Sequence, residues 1–289
     1  MDAFLNSLAS GLIVGSLYAI MAMGLTILYG VSHVFNFAHG HVAVVAAYLV
    51  WFAAVRLGLA LPVGVAAALL VMVVLALATY WGAIRGLLRR SEWGFGTLLF
   101  TLGLAILAEY ALLELFGPRV KSVPAVLPGS VRLWFGRLAL NDLFLITASV
   151  VLMVLVGAFL KRTLTGQAMR AVAQSLPGAQ VVGIDIDRIY GATFIFAFVM
   201  TGLSGVLLGT KTYMTPHIGW EWMIKGFVIV AFGGLGSVPG AIVAAFLLGV
   251  VEALVTLYLG AIWIWPAWLV TFIVALWLRP QGILGGRST

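Results

Sequence analysis

Residues 163–190, TLTGQAMRAVAQSLPGAQVVGIDIDRIY, form a mixed, polar run set between long apolar stretches. Lys161 and Arg162 precede it, Arg170 sits inside it and Arg188 closes it. AMRAVAQ (168–174) is rich in helix formers, the Pro177-Gly178 pair breaks the pattern, and AQVVGI (179–184) resumes it. The expectation is two short helices joined by a bend, an elbow on the cytoplasmic surface between two membrane spans. A soluble partner could push on such an elbow. Composition alone also fits an ordinary cytosolic loop.

Outward from this run the chain is hydrocarbon. Of its 289 residues, 63% are hydrophobic and 9% charged, against roughly 25% charged in a soluble domain. An all-α polytopic membrane protein follows, read as a single transmembrane domain over 1–289 with segment 163–190 inside it. Lys and Arg number 16 against 9 Asp and Glu, a net charge of +7. Basic side chains retained beside anionic lipid explain that excess without nucleic acid. The absence of cysteine excludes disulfides, iron–sulfur clusters and thiolate zinc sites. The opening MDAFLNSLAS has no basic n-region, so the first apolar run is expected to stay as a span.

Spans are read at 8–30, 59–84, 97–117, 143–160 and 189–210. Gly11 and Gly15 in the first, and Gly202, Gly205 and Gly209 in the last of these, predict close helix packing. Between them, VSHVFNFAHGH (31–41) runs into VAVVAAYLVWFAAV (42–55), the pattern of a broken or re-entrant helix. A second interruption, GGLGSVPG (233–240), separates MIKGFVIVAF from AIVAAFLLGVVEALVTLYLG, and IWIWPAWLVTFIVALWL is the final span. Splitting the chain at the second interruption gives nine crossings with the N-terminus outside, and reading through it gives eight. Nine is preferred because it keeps Arg279 with Arg85, Arg89 and Arg90 on the elbow side. That side then holds nine basic residues, Arg287 included, against six opposite, with Lys225 unassigned. Residues 118–140 are expected to make a hairpin or interfacial segment on the other face, and 211–222 a short aromatic external loop.

Unwound segments in transporters expose backbone where solute passes, so Asn36, His39, Gly233, Gly234 and Gly236 are pathway candidates. Glu109, about twelve residues into its apolar run, is read near mid-membrane, where a carboxylate needs a partner or hydration. It is either a functional acid or a hydrogen-bonded packing residue. Glu252 also falls inside an apolar run. A metal site at His39 and His41 is not expected, because an i, i+2 pair lies on different faces of a helix. GxxxxGK[ST] is absent and no GxSxG elbow occurs, so no energy-converting or nucleophilic site is visible. An ATP-independent carrier using Glu109 is the rival to a partner-driven one.

Four separated motifs resemble one family: GSLYAIMAMGLTILYGVSHVFNFAHG (15–40), GQAMRAVAQSLPGAQVVGIDIDRI (166–189), FGGLGSVPGA (232–241) and LRPQGILGG (278–286). They are similar to permeases of branched-chain amino-acid ABC transporters, the LivH/LivM type, with length and N-terminal motif nearer LivH. The resemblance implies a multi-pass subunit of the bacterial inner membrane, bathed in lipid, that is not itself an enzyme. Its implied partners are a second, related permease, two cytosolic P-loop ATPases that bind the ATP and Mg, and an external solute-binding protein. No cofactor is implied for this chain. Solute would be a branched-chain or other small amino acid, with urea, amides and small carboxylates as the alternative. The resemblance also places a coupling helix in 163–190, with Arg170, Gln174, Ala179, Gly183, Asp185 and Arg188 as its residues. The family's Glu-Ala-Ala-x-x-x-Gly reads PGAQVVG here, so Pro177 and Gly178 replace Glu and Ala.

Overall fold

The computed structural model describes residues 2–90, 93–133, 136–279 and 281–285. Trp134, Phe135, Pro280 and Arg287 lie outside the described residues. The helices are α1 (Asp2–Ser32), α2 (His39–Trp51), α3 (Leu61–Thr79), α4 (Arg85–Leu87), α5 (Trp93–Phe116), α6 (Leu140–Arg162), α7 (Leu164–Gln174), α8 (Leu176–Val181), α9 (Ile186–Lys211), α10 (Ile218–Gly233), α11 (Val238–Tyr258) and α12 (Ile264–Leu278). A π-helical turn at Phe52–Arg56 extends α2, and another at Tyr80–Ile84 joins α3 to α4. The expected hairpin exists: β1 (Ser130–Leu133) pairs antiparallel with β2 (Gly136–Ala139).

Among the described residues, eight helices are long and apolar enough to cross a membrane. The helix α10, with 16 residues, is shorter, about 24 Å at 1.5 Å per residue. Contacts nevertheless show that it carries the chain from one end to the other. Before it, Met214 pairs with Lys121 near the hairpin. After it, Gly236 lies against Gly30 in the last turn of α1, and Gly234 lies against Gly285. The elbow, Ser32, His33, Arg85 and Arg89 share that same end. At the opposite end Lys211 pairs with Asp142 at 2.6 Å, and Ser7 donates to the Ala253 carbonyl at 2.8 Å. The described residues therefore make nine passages between the elbow end and the hairpin end, eight by full-length helices.

The core is α1, α2 and α9, mostly buried, while α5, α6 and α12 turn most of their surface outward. Small residues set that arrangement, because apolar side chains gain nothing by leaving lipid and close backbone contact must supply the attraction. A Cβ at Gly205 would stand 2.1 Å from the Ala43 carbonyl oxygen, so α9 touches α2 backbone to backbone. On α1, Gly11 and Gly15 meet Gly249 and Ala245 of α11 in the same manner.

Two boundaries differ from the sequence reading. The bend between the elbow helices falls at Ser175, and Pro177 with Gly178 begins α8 instead of breaking it. Proline suits a first turn, where its missing N–H would be unpaired anyway. Residues 218–222, expected in an external loop, form the first turn of α10. Glu109 lies in the hairpin-end half of the 24-residue α5, about 7 Å past the helix midpoint and about 10 Å short of its end at Phe116.

Candidate functional site

Side-chain caps hold the elbow in shape. Thr163 caps α7 by accepting from Gly166 N–H at 3.0 Å, Ser175 caps α8 by accepting from Gly178 N–H at 3.1 Å, and Asp185 caps α9 by accepting from Arg188 N–H at 3.1 Å. Each satisfies a backbone donor that a helix start leaves open. Met169, Val172 and Ala179 face inward and are buried. Gly183, at φ +80, supplies the left-handed turn out of α8.

Of the expected coupling residues, Arg170, Gln174, Gly183, Asp185 and Arg188 are exposed, while Ala179 anchors the elbow from beneath. The outer surface carries apolar side chains that the sequence reading did not single out. Leu164 is 85% exposed, Val181 88% and Val182 74%. Two valines beside a glycine in an otherwise polar run were the available signal.

The elbow also shares a cavity with the second interruption. Arg170 and Ala173 of α7 line a cavity of about 70 Å³ with Gly30, Gly236 and Thr26. The Thr26 hydroxyl is buried there without a partner. Gly233, Gly234 and Gly236 thus lie at the elbow end, in the tight turn from α10 into α11. Asn36 and His39 lie elsewhere. Asn36 is buried and its Oδ1 accepts from Ala38 N–H at 3.1 Å. The His39 ring is enclosed, with Nε2 at 3.0 Å from the Met21 carbonyl and 2.9 Å from Thr201 Oγ1. His41 points to other partners, as the i, i+2 spacing requires.

Glu109 is held from two elements. Its Oε1 is hydrogen-bonded by His217 Nδ1, and its Oε2 accepts from Trp220 Nε1 at 2.5 Å. His41 Nε2 stands 3.5 Å from Oε2, which brings α2 to the same carboxylate. An intramembrane carboxylate so engaged joins α5, α10 and α2 near the hairpin end.

A second buried charge cluster contains Lys225, to which the sequence reading gave no place. Lys225 Nζ donates to Tyr18 Oη at 2.8 Å and to Glu252 Oε1 at 3.0 Å, and pairs with Glu221 at 3.0 Å. Trp268 Nε1 donates to Glu252 Oε2 at 3.0 Å. Four helices, α1, α10, α11 and α12, meet at this pair. A lysine followed 27 residues later by a glutamate on another apolar helix is a faint signal, because antiparallel pairing must be known before the two can be matched.

Comparison with known proteins follows the same lines. The family model described as branched-chain amino acid transport system permease component matches residues 7–278. The chain is 30% identical, over 98% of its length and 96% of the relative's, to the high-affinity branched-chain amino acid transport system permease protein BraD of Pseudomonas aeruginosa. It is 30% identical, with the same coverage, to the high-affinity branched-chain amino acid transport system permease protein LivH of Escherichia coli. A more distant relative, 26% identical over 81% of this chain and 68% of the relative, is the autoinducer 2 import system permease protein LsrC of an Enterobacter strain. With its eight long apolar helices, this multi-pass plasma-membrane protein belongs to the family of branched-chain amino acid transport system permeases, on the LivH side of it.

Proposed function

We propose that the chain is the membrane subunit of an ATP-driven importer of branched-chain or other small amino acids, and that partner ATPases act on it through the elbow. In this reading the chain is a transport subunit and not an enzyme. It pairs with a second permease and takes solute from an external binding protein, while two ATPases bind the ATP and Mg. The observation that carries the reading is the apolar outer face of the elbow. Leu164, Val181 and Val182 are exposed beyond the spans, at the end marked by Arg85, Arg89 and Arg279, where the positive-inside rule places the cytoplasm. An apolar patch on a capped, rigid element outside the lipid is a partner surface.

The elbow lies between α6 and α9 and shares a cavity with the α10–α11 turn, lined by Arg170 and Gly236. A partner that holds it differently in two states would bias the bundle toward outward or inward access, since only a difference in contact between states shifts their balance. Asn36, His39 and Glu109 are the pathway residues of this reading, and Gly233, Gly234 and Gly236 border it at the elbow end. The amino-acid assignment rests on the names of BraD and LivH, and the LsrC likeness keeps other small solutes in view.

The test is co-purification and reconstitution. The wild-type chain should bring down a second permease and ATPase subunits, with hydrolysis stimulated by the loaded binding protein. A Val181→Asp, Val182→Asp double variant should stay in the membrane yet lose most ATPase recovery. Unchanged recovery and stimulation would remove the elbow from this role.

A further inference from the structure

We infer that Asp187, at the start of α9, is the positioning residue that passes elbow movement to α3, by exchanging its ion pair between Arg85 and Arg89. The inference rests on the coupling role proposed for the elbow. Asp187 collects donors from one neighbouring segment. Tyr80 Oη donates to Oδ1 at 3.2 Å, Arg85 donates to Oδ2 from Nε at 3.0 Å and Nη2 at 2.8 Å, and Arg89 Nη2 donates to the same Oδ2 at 2.9 Å. Arg85 also lies over the Trp81 ring at 4.5 Å.

Three features make this cluster a joint. First, the contacted segment is the π-helical turn Tyr80–Ile84 and the arginines just after it, and π-turns inside helices concentrate at functional positions. Second, the elbow is not packed solidly against the bundle here. A cavity of about 720 Å³ separates Leu176, Gln180 and Gly183 from Ser32, His33, Leu88 and Trp93, with Arg85, Arg89 and Asp187 in its wall. His33 borders that gap in a left-handed conformation, φ 55, uncommon for a residue with a side chain. Third, Arg85, in α4, and Arg89, in the turn just past its end, both reach Asp187 Oδ2 from positions four residues apart. Sliding the start of α9 by part of a turn would trade one arginine for the other without leaving Asp187 unpaired. An element with two discrete ion-paired positions is what a switch requires. From α3 the movement reaches α2, because Met72 and Ala46 meet at Gly202 of α9.

The test uses the reconstituted complex of permeases, ATPases and binding protein. Arg85→Gln and Arg89→Gln each remove one of the two positions, so they should move basal ATP hydrolysis in opposite directions while the complex still assembles. Asp187→Asn should remove both, lowering solute moved per ATP hydrolysed by about tenfold. A structural staple would behave differently: both arginine variants would shift hydrolysis the same way, in step with lost thermal stability, and solute per ATP would hold. That pattern would overturn the inference. A wild-type complex without solute-stimulated hydrolysis would overturn the elbow reading itself, and this inference with it.

Discussion

Between α1 and α2 the chain turns back inside the bundle, whereas between α10 and α11 it turns at the elbow end. The first turn, residues 33–38, climbs from His33 in the elbow-end cavity to His39 beside the Met21 carbonyl, well inside α1. Its backbone has no water to rely on, and side chains take over. Asn36 Oδ1 accepts from Ala38 N–H, and Thr101 Oγ1 of α5 accepts from Phe37 N–H at 3.2 Å while lying 3.2 Å from the Phe35 carbonyl. The second turn relies mainly on backbone, with one side-chain cap where Ser237 Oγ accepts from Gly240 N–H at 3.2 Å. Gly234 and Gly236 take positive φ, +106 and +83, and residues after α12 close over it, Ile283 N–H on the Phe232 carbonyl at 2.9 Å and Leu284 N–H on Gly233 at 3.1 Å. The lesson is that a break inside hydrocarbon is held by polar side chains, whereas a break at the surface is held by glycine geometry.

That contrast predicts which substitutions hurt each turn. The largest effect belongs to Gly234→Val. Its Cβ would meet Gly285 backbone at 2.6 Å, on a backbone at φ +106. A loss of about 3 kcal/mol or more in unfolding stability follows, read as a collapsed melting temperature in detergent. Gly58→Ala, at φ +65 with open space around it, isolates the conformational part and should cost about 1 kcal/mol. If the two cost the same, close approach is irrelevant at the second turn and the contrast fails.

Next in size is Thr101→Val, which keeps shape and leaves the Phe37 N–H without an acceptor inside the bundle. The expected loss is about 2 kcal/mol, measured by thermal unfolding. An unchanged melting temperature would mean that water reaches the first turn. Asn36→Ala should cost less, about 1 kcal/mol for a lost local cap. Its Nδ2 is buried without a partner, so solute transport should fall further than stability does; equal losses would make Asn36 a packing residue.

Much of this was legible in the sequence. Composition and run lengths gave the spans, the glycine spacings on α1 and α9 gave their packing faces, and polar residues at 31–41 gave the first turn. The elbow was legible as a charged island, though Pro177 was read as a breaker when the serine before it is the cap. Lys225 and Asp187 were not legible as sites. Apart from Glu221 one turn before it, Lys225 acts through partners 27 and 207 residues away, and Asp187 through partners 98 to 107 residues away. Local pattern carries no information about which antiparallel neighbour a side chain will meet. Glu109 stood out because an acid in an apolar run is costly anywhere, while its donors His217 and Trp220 sat in a stretch read as loop.

The smallest effect is expected from deleting 281–289. The freed carbonyls of Phe232 and Gly233 lie at the elbow end, where water can replace the lost donors, so the cost should be about 0.5–1 kcal/mol. Combined with Gly234→Val, the same deletion removes Gly285, the backbone that the new Cβ would strike. The double variant should therefore be more stable than Gly234→Val alone, a non-additivity of about 1–2 kcal/mol between neighbours. What remains of the loss is the strain of a branched side chain at positive φ. Should the two changes instead add, the clash with Gly285 contributes nothing, and backbone conformation alone holds the second turn.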